Sequence, residues 1–427
     1  MPILCGTDLS EAAAGALAVA RALAAQRGED EVILLHVIDP ESRSKSAPLH
    51  SGPEHAVDVD AARGALEDLA KTPGEVAVRT ELLVDAPDAS ITSYAETEGC
   101  DLIVIAARST AGGSLLSLGT TASRVIARTT IPVILVRDPA PWLGYAHRDR
   151  PLRILLGIDD SATCDLGIQW VQALRERGPV EVVLGAIYYP DEAAAHYGLH
   201  ARGPVDRDPA VERYLERDLL RRFNGGPGVV ARPRRGLGRI GDHVLELARE
   251  ENIDAIVVGT SQKTGLGRLG SVSTVIVNDA AQSVVCVPPT ATVATTTTPT
   301  VRATLVATDL SPFANRAVPW AFTLTPDGGA VHLVHVVKDD TELDEADLRR
   351  QLLALAPTGS KHVISAHVVR GEEPALAISQ TAARLGVDLI AIASHGRAGI
   401  SRALVGSVAD RLLRATRTPV LVLRPPG

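Results

Sequence analysis

ATLVATDLS (Ala303–Ser311) sets an apolar run of strand length directly against Thr308, Asp309 and Ser311. A serine followed by Pro312 suits a helix start, because the hydroxyl caps free N–H groups and proline fits the first helical position. The same phrase stands at PILCGTDLS (Pro2–Ser10) and RILLGIDDS (Arg153–Ser161), so Asp8, Asp159 and Asp309 hold one place in three copies. A repeat of this kind governs the reading of everything around it.

Outward from that phrase, each copy continues into an amphipathic helical pattern, with Trp170 and Trp320 at equal distances from their aspartates. A second strand recurs as VILLHVID, VVLGAIYY and VHLVHVVK, and a fourth as DLIVIAA, DAIVVGT and DLIAIAS, each after a helical segment. The last recurs as IPVILVRD, QSVVCVPP and TPVLVLRP. Unbroken Val/Ile/Leu runs are strands buried on both faces, and helical crossovers between them make a parallel sheet. The fold class is therefore α/β: three repeated, doubly wound open sheets, over residues 1–138, 152–288 and 303–427. Between them lie DPAPWLGYAHRDRP and the Thr-rich PPTATVATTTTPTVRA, the second being the clearer linker because it cannot build a core. Insertions at 41–55 and 190–208 read as surface loops or lids.

Composition narrows the function. The chain has 427 residues, a formal charge of −8 and only 3% aromatic residues, which removes the electrostatic and stacking reasons to expect a nucleic acid. ARPRRG, with Arg232, Arg234 and Arg235, reads as a solvated face. Cys5, Cys100, Cys164 and Cys286 lack metal-ligand spacing and read as reduced, buried thiols. No leader pattern and no apolar segment of about 20 residues is present, so a cytoplasmic protein without a membrane partner is expected.

In an open parallel sheet, ligands sit beyond the carboxyl ends of the strands where strand order reverses. Thr308 and Asp309, Val336, and the glycine-bearing stretch ASHGRAGISRALVGS (Ala393–Ser407) would meet there. Gly396 and Gly406 permit close backbone approach, and Ser407 adds a hydroxyl at a helix start whose free N–H groups favour anions. Asp309 fits two roles equally, as an acceptor for a ribose hydroxyl or adenine amine and as a local turn former.

These residues resemble the universal stress protein family, whose nucleotide-binding members carry an Asp after the first strand and a G-x2-G-x9-G-[ST] loop. The third copy keeps the nine-residue spacing from Gly396 to Gly406-Ser407 and departs at Ala393, which stands for the first glycine. The resemblance implies a strand order of 3-2-1-4-5 (adenine nucleotide alpha hydrolase-like). It also implies binding of ATP or a related nucleotide (AMP or ADP), usually with Mg2+. Carried over by position, Thr308, Asp309 and Val336 would hold base and ribose, and Ala393, His395, Gly396, Gly406 and Ser407 would border the phosphates. His395 fits a solvated loop residue equally well. Weaker candidates are Asp8, Val37, Gly119 and Thr120 in the first copy. In the second they are Asp159, Gly259, Gly270 and Ser271, where only seven residues separate Gln262 from Gly270.

GLGRIG and GLGRLG in the second copy match a dinucleotide fingerprint only in letters, since neither follows the first strand of its repeat. A Walker loop, nucleophile elbow and HExxH motif are absent from the sequence, leaving no catalytic residue. The family resemblance further implies that last strands pair between two domains. Repeats one and two would then pair within the chain, and the third with a second copy, giving a homo-oligomer. Three functions follow: a nucleotide-binding regulator, a dimerisation scaffold with empty sites, or a slow ATPase or phosphotransferase.

Overall fold

A computed structural model of the chain describes residues 1–40, 54–107, 119–159, 161–200, 208–260, 272–291, 301–338, 344–393 and 407–424. They form two compact units, Met1–Tyr188 with Leu219–Thr296, and Tyr189–Asp218 with Thr297–Gly427.

In the first unit the opening repeat runs β1 (Ile3–Thr7), α1 (Glu11–Arg27), β2 (Glu31–Ile38), α2 (Glu54–Ala70), β3 (Ala77–Val84), α3 (Pro87–Thr97), β4 (Leu102–Ala106), α4 (Thr120–Arg128) and β5 (Val133–Val136). A short α5 (Ala140–Ala146) leads to β6 (Leu152–Gly157), α6 (Ala162–Arg177) and β7 (Val180–Tyr188); α7 (Pro190–His196) and α8 (Pro209–Arg222) follow in the chain, α7 and the part of α8 up to Asp218 belonging to the second unit. The second repeat ends with β8 (Val229–Arg235), α9 (Ile240–Glu250), β9 (Ala255–Gly259), α10 (Val272–Asp279) and β10 (Ser283–Val287). All ten strands belong to one sheet, ordered β3-β2-β1-β4-β5-β10-β9-β6-β7-β8, so each repeat has the order 3-2-1-4-5. The two halves meet where β5 and β10 pair antiparallel, Ile134 opposite Val285. Every residue of both strands is buried. Closing the two edges on each other removes a pair of flat apolar strands from water.

The segment before β6 was expected to be a connector, and it is part of the core instead. Trp142 and Tyr145 of α5 are fully buried in a cluster that also holds Leu17, Val171 and Leu174 of the two first helices. Tyr145 donates its hydroxyl to the Leu174 carbonyl at 2.7 Å, which satisfies its polar end. The other face of the sheet carries a second continuous core, including Ile103, Leu135, Val284 and Ile256.

The second unit contains β11 (Ala303–Ala307), α11 (Ala317–Leu324), β12 (Ala330–Val337), α12 (Glu345–Ala354), β13 (Val363–Arg370), α13 (Pro374–Leu385), β14 (Leu389–Ala393), α14 (Ser407–Ala415) and β15 (Val420–Leu423). Its sheet is ordered β13-β12-β11-β14-β15. Ser311 Oγ accepts from the Ala314 N–H at 3.1 Å, as a cap should. A 3-10 turn at Ala314–Arg316 precedes α11.

The insertion read as a loop at 190–208 is partly helical. Pro190 occupies the first turn of α7 with Asp191 and Glu192 beside it, a favourable helix start. Tyr197 is buried and donates to Asp218 at 2.8 Å, and Arg217 caps the carbonyls of Ala383 and Arg384 at the end of α13. The stretch Tyr189–Asp218, drawn from the second repeat in sequence, therefore packs with the third. Residues 201–207 of this insertion, and 41–53 of the other, lie outside the described residues.

All four cysteines are buried and free. Burial pushes the thiols of Cys5, Cys100 and Cys286 up to about 12 and that of Cys164 to about 11. The native chain is expected to react with none of its cysteines on mixing with a thiol reagent at pH 8, and with all four in denaturant. Rapid native labelling of one or more would contradict this. No helix among the described residues is long and apolar enough to cross a membrane.

Candidate functional site at the strand ends

Register places the candidate residues at one edge. Ala307 of β11 lies opposite Val334 of β12 and Ile392 of β14, so Thr308, His335 and Ala393 stand level on three adjacent strands, at the carboxyl ends of β11 and β14 and two residues before the end of β12. Val336 follows His335 and is half-buried. Ser407 is exposed at the first position of α14. His395, Gly396 and Gly406 lie outside the described residues.

The turn after β11 is held by a small network. Leu310 adopts a φ of 65°, unusual for a residue with a side chain. It is supported by bonds from its N–H to Thr308 Oγ1 at 3.0 Å and from the Ser311 N–H to Asp309 Oδ1 at 2.9 Å. Thr308 donates its hydroxyl to Asn315 Oδ1 at 2.7 Å. His335 Nδ1 lies 2.8 Å from the Thr308 carbonyl and donates to it, fixing the turn to the neighbouring strand. Desolvation pushes the Asp309 carboxyl up, but bonds from the Ser311 hydroxyl and N–H and from its own N–H, with His335 nearby, hold it below the usual aspartate value. The bond from Ser311 shows Asp309 in the turn-forming role, with its carboxylate left exposed.

The first repeat builds the same turn. Leu9 has a φ of 61°, its N–H bonds to Thr7 Oγ1 at 2.9 Å, the Ser10 N–H bonds to Asp8 Oδ1 at 3.1 Å, and His36 Nδ1 meets the Thr7 carbonyl at 2.8 Å. Val37 is buried beside it. Gly119 caps α4 ahead of Thr120, and among the described residues a Cβ there would meet nothing within 4 Å.

The second repeat differs. Ile158 stands where the others have threonine and Ala186 where they have histidine, as the bond from the Ile158 N–H to the Gly185 carbonyl establishes. Arg222 donates to the Asp159 carbonyl at 2.5 Å and to Asp165 at 2.8 Å, placing a guanidinium over this turn. Gly259 has a packing reason: a Cβ would come within 2.9 Å of the Thr163 backbone. Gly270 and Ser271 lie outside the described residues.

His36 and His335 were not among the residues singled out in the sequence, although the recurrence of His in VILLHVID and VHLVHVVK, and its loss from VVLGAIYY, carried the signal. GLGRIG lies after the third strand of its repeat, and a Cβ on its last glycine, Gly241, would strike Val275 at 2.7 Å. It is a helix-packing glycine. Arg232 and Arg234 are paired with Glu251 and Glu250 at 2.7 and 2.8 Å, leaving their face charge-compensated. Among the described residues no cluster of three metal-ligating side chains occurs.

Fold and strand-end turns together define a tandem array of three doubly wound open-sheet domains, with one turn chemistry kept in two of them. The family model of the universal stress protein family matches residues 1–137, 152–288 and 300–424, and the chain belongs to that family. Similar solved structures include a universal stress protein from Archaeoglobus fulgidus, 17% identical, covering 67% of this chain and 98% of its own, with a TM-score of 0.50. Another is UspA from Lactobacillus plantarum, 28% identical, covering 32% and 96%, with a TM-score of 0.25. A universal stress protein solved in complex with cAMP is 22% identical and covers 30% and 98%, with a TM-score of 0.26. The comparison with curated proteins gave no match.

Proposed function

We propose that the third repeat binds ATP or a related adenine nucleotide with Mg2+, and that the protein acts as a nucleotide-responsive regulator. One observation carries this reading: register brings Thr308, His335 and Ala393 level on three adjacent strands, with Asp309 and Val336 one residue further on. Asp309 is exposed there as a carboxylate, suited to a ribose or amine donor. Phosphates would sit at the start of α14, where Ser407 and free N–H groups favour anions. The first repeat, with its turn intact but no glycine at Ala106 or Ser109, suits a smaller or weaker ligand. The second, covered by Arg222, is structural. Titration of the full chain with ATP and Mg2+ should give one dominant site, whereas three equal sites would contradict the assignment.

The remaining edge supports pairing with a second copy. All residues of β15 are half-buried, whereas its counterparts β5 and β10 are fully covered by each other. Trp320 is 52% exposed, while Trp170, at the same position in the second repeat, is 8% exposed beneath the shared core. A second copy across β15 would offer Trp320 a partner surface. The chain should sediment as a dimer at micromolar concentration, and Trp320→Glu should weaken the dimer at least about tenfold, the worth of one well-buried interface aromatic. A wild-type monomer would contradict this part.

A further inference from the structure

A second cluster of titratable groups in the third repeat lies lower on the sheet, away from the strand-end turn. His332 of β12 and His367 of β13, the outermost strand, face each other with Nδ1 and Nε2 3.3 Å apart and ring centres 5.4 Å apart. The Ser365 hydroxyl lies 2.8 Å from the same His332 Nδ1. Both rings are half-buried, beside a core that includes Leu305 and Val334.

The contact needs one nitrogen to donate and the other to accept, so a neutral pair satisfies it and a doubly protonated pair cannot. Two protons would set two donors and two like charges against each other. The charged groups acting on the pair from the packed helices are Arg349 of α12 and Arg384 of α13, both cations. Among the described residues, the histidines paired with carboxylates are His147 and His243, and neither of these two is. Among the described residues, no carboxylate is paired with either ring to offset a positive charge. The same surroundings disfavour a bound metal cation.

We propose that His332 and His367 form a proton-sensitive latch, closed while the pair is neutral and released when both rings take protons, which frees the outer strand β13 from β12. The electrostatics agree with the geometry. Burial, and then His367, bring His332 down to about 4, while burial, Arg349 and Arg384 lower His367. An unfolded histidine takes its proton near pH 6.5. The open strand therefore binds protons that the closed one refuses, so the latch is full above about pH 6.5 and is lost as pH falls toward about 4. Val336 pairs with Val369 at the far end of the same ladder, so opening would also loosen the strand that borders the strand-end site.

Hydrogen exchange on the full chain, expressed as protection relative to intrinsic rates, tests the latch without any nucleotide. Between pH 7 and pH 5 the backbone of Val363–Arg370 should lose protection by about tenfold, a value already reduced for partial exposure of the rings. The ladder of β1 and β2 should change less than twofold over the same range. In His332→Gln/His367→Gln the selective loss should vanish, and His332→Gln alone should remove most of it, because the larger cause of the low value is the burial of His332 itself; this covers the case of a double variant that folds poorly. Uniform loss across both sheets, or selective loss that persists undiminished in His332→Gln, would overturn the proposal.

Discussion

Trp142→Ala is expected to destabilise the first unit by about 3–5 kcal/mol, the range for deleting a fully buried tryptophan from a core that cannot collapse around the space. Trp142 is fully buried on α5, among side chains contributed by both repeats. The loss should appear as one cooperative transition in denaturant, because a single ten-stranded sheet has both cores in common. Both repeats would lose stability together. A change below about 1 kcal/mol would show that α5 is a connector after all, since that is the scale of ordinary surface substitutions.

The second large effect concerns the ligand. Asp309→Ala combined with Gly406→Val should lower affinity for an adenine nucleotide by about a hundredfold or more. A hydrogen bond to a charged group contributes about 1.5–3 kcal/mol, so removal of the Asp309 carboxylate alone accounts for roughly tenfold to a hundredfold. The branched side chain at 406 would further obstruct phosphate approach at the Gly406-Ser407 step. The matched variant Asp159→Ala should leave binding unchanged, because Arg222 already covers that turn. Undiminished affinity in the double variant would move the site out of the third repeat.

The sequence made the architecture legible because buried parallel strands write themselves as unbroken Val/Ile/Leu runs, and three copies permit comparison without any other protein. The aspartates and the capping serines could be read this way, whereas the pairing of last strands between the first two repeats was an expectation from the family resemblance. Other features needed packing to be seen. DPAPWLGYAHRDRP has the prolines and charges of a linker, and only the joint core between two first helices explains Trp142 and Tyr145. The 190–208 insertion carries a helix start, but its attachment depends on Arg217 meeting carbonyls nearly 170 residues away. Gly259 looked like a phosphate-loop glycine, whereas its closeness to Thr163 supplies a steric reason that spacing cannot reveal. His36 and His335 were visible as letters, yet their use of a ring nitrogen to hold a strand-end carbonyl is a property of register.

Release of bound nucleotide tests the central claim most directly. The full-length protein would be purified without added nucleotide and denatured, the supernatant analysed for adenine nucleotides, and a parallel native sample titrated with ATP and Mg2+. Release of an adenine nucleotide, or saturable binding abolished by Asp309→Ala/Gly406→Val, is the predicted result. No nucleotide released and none bound at millimolar concentration would contradict it and leave the three repeats as a scaffold.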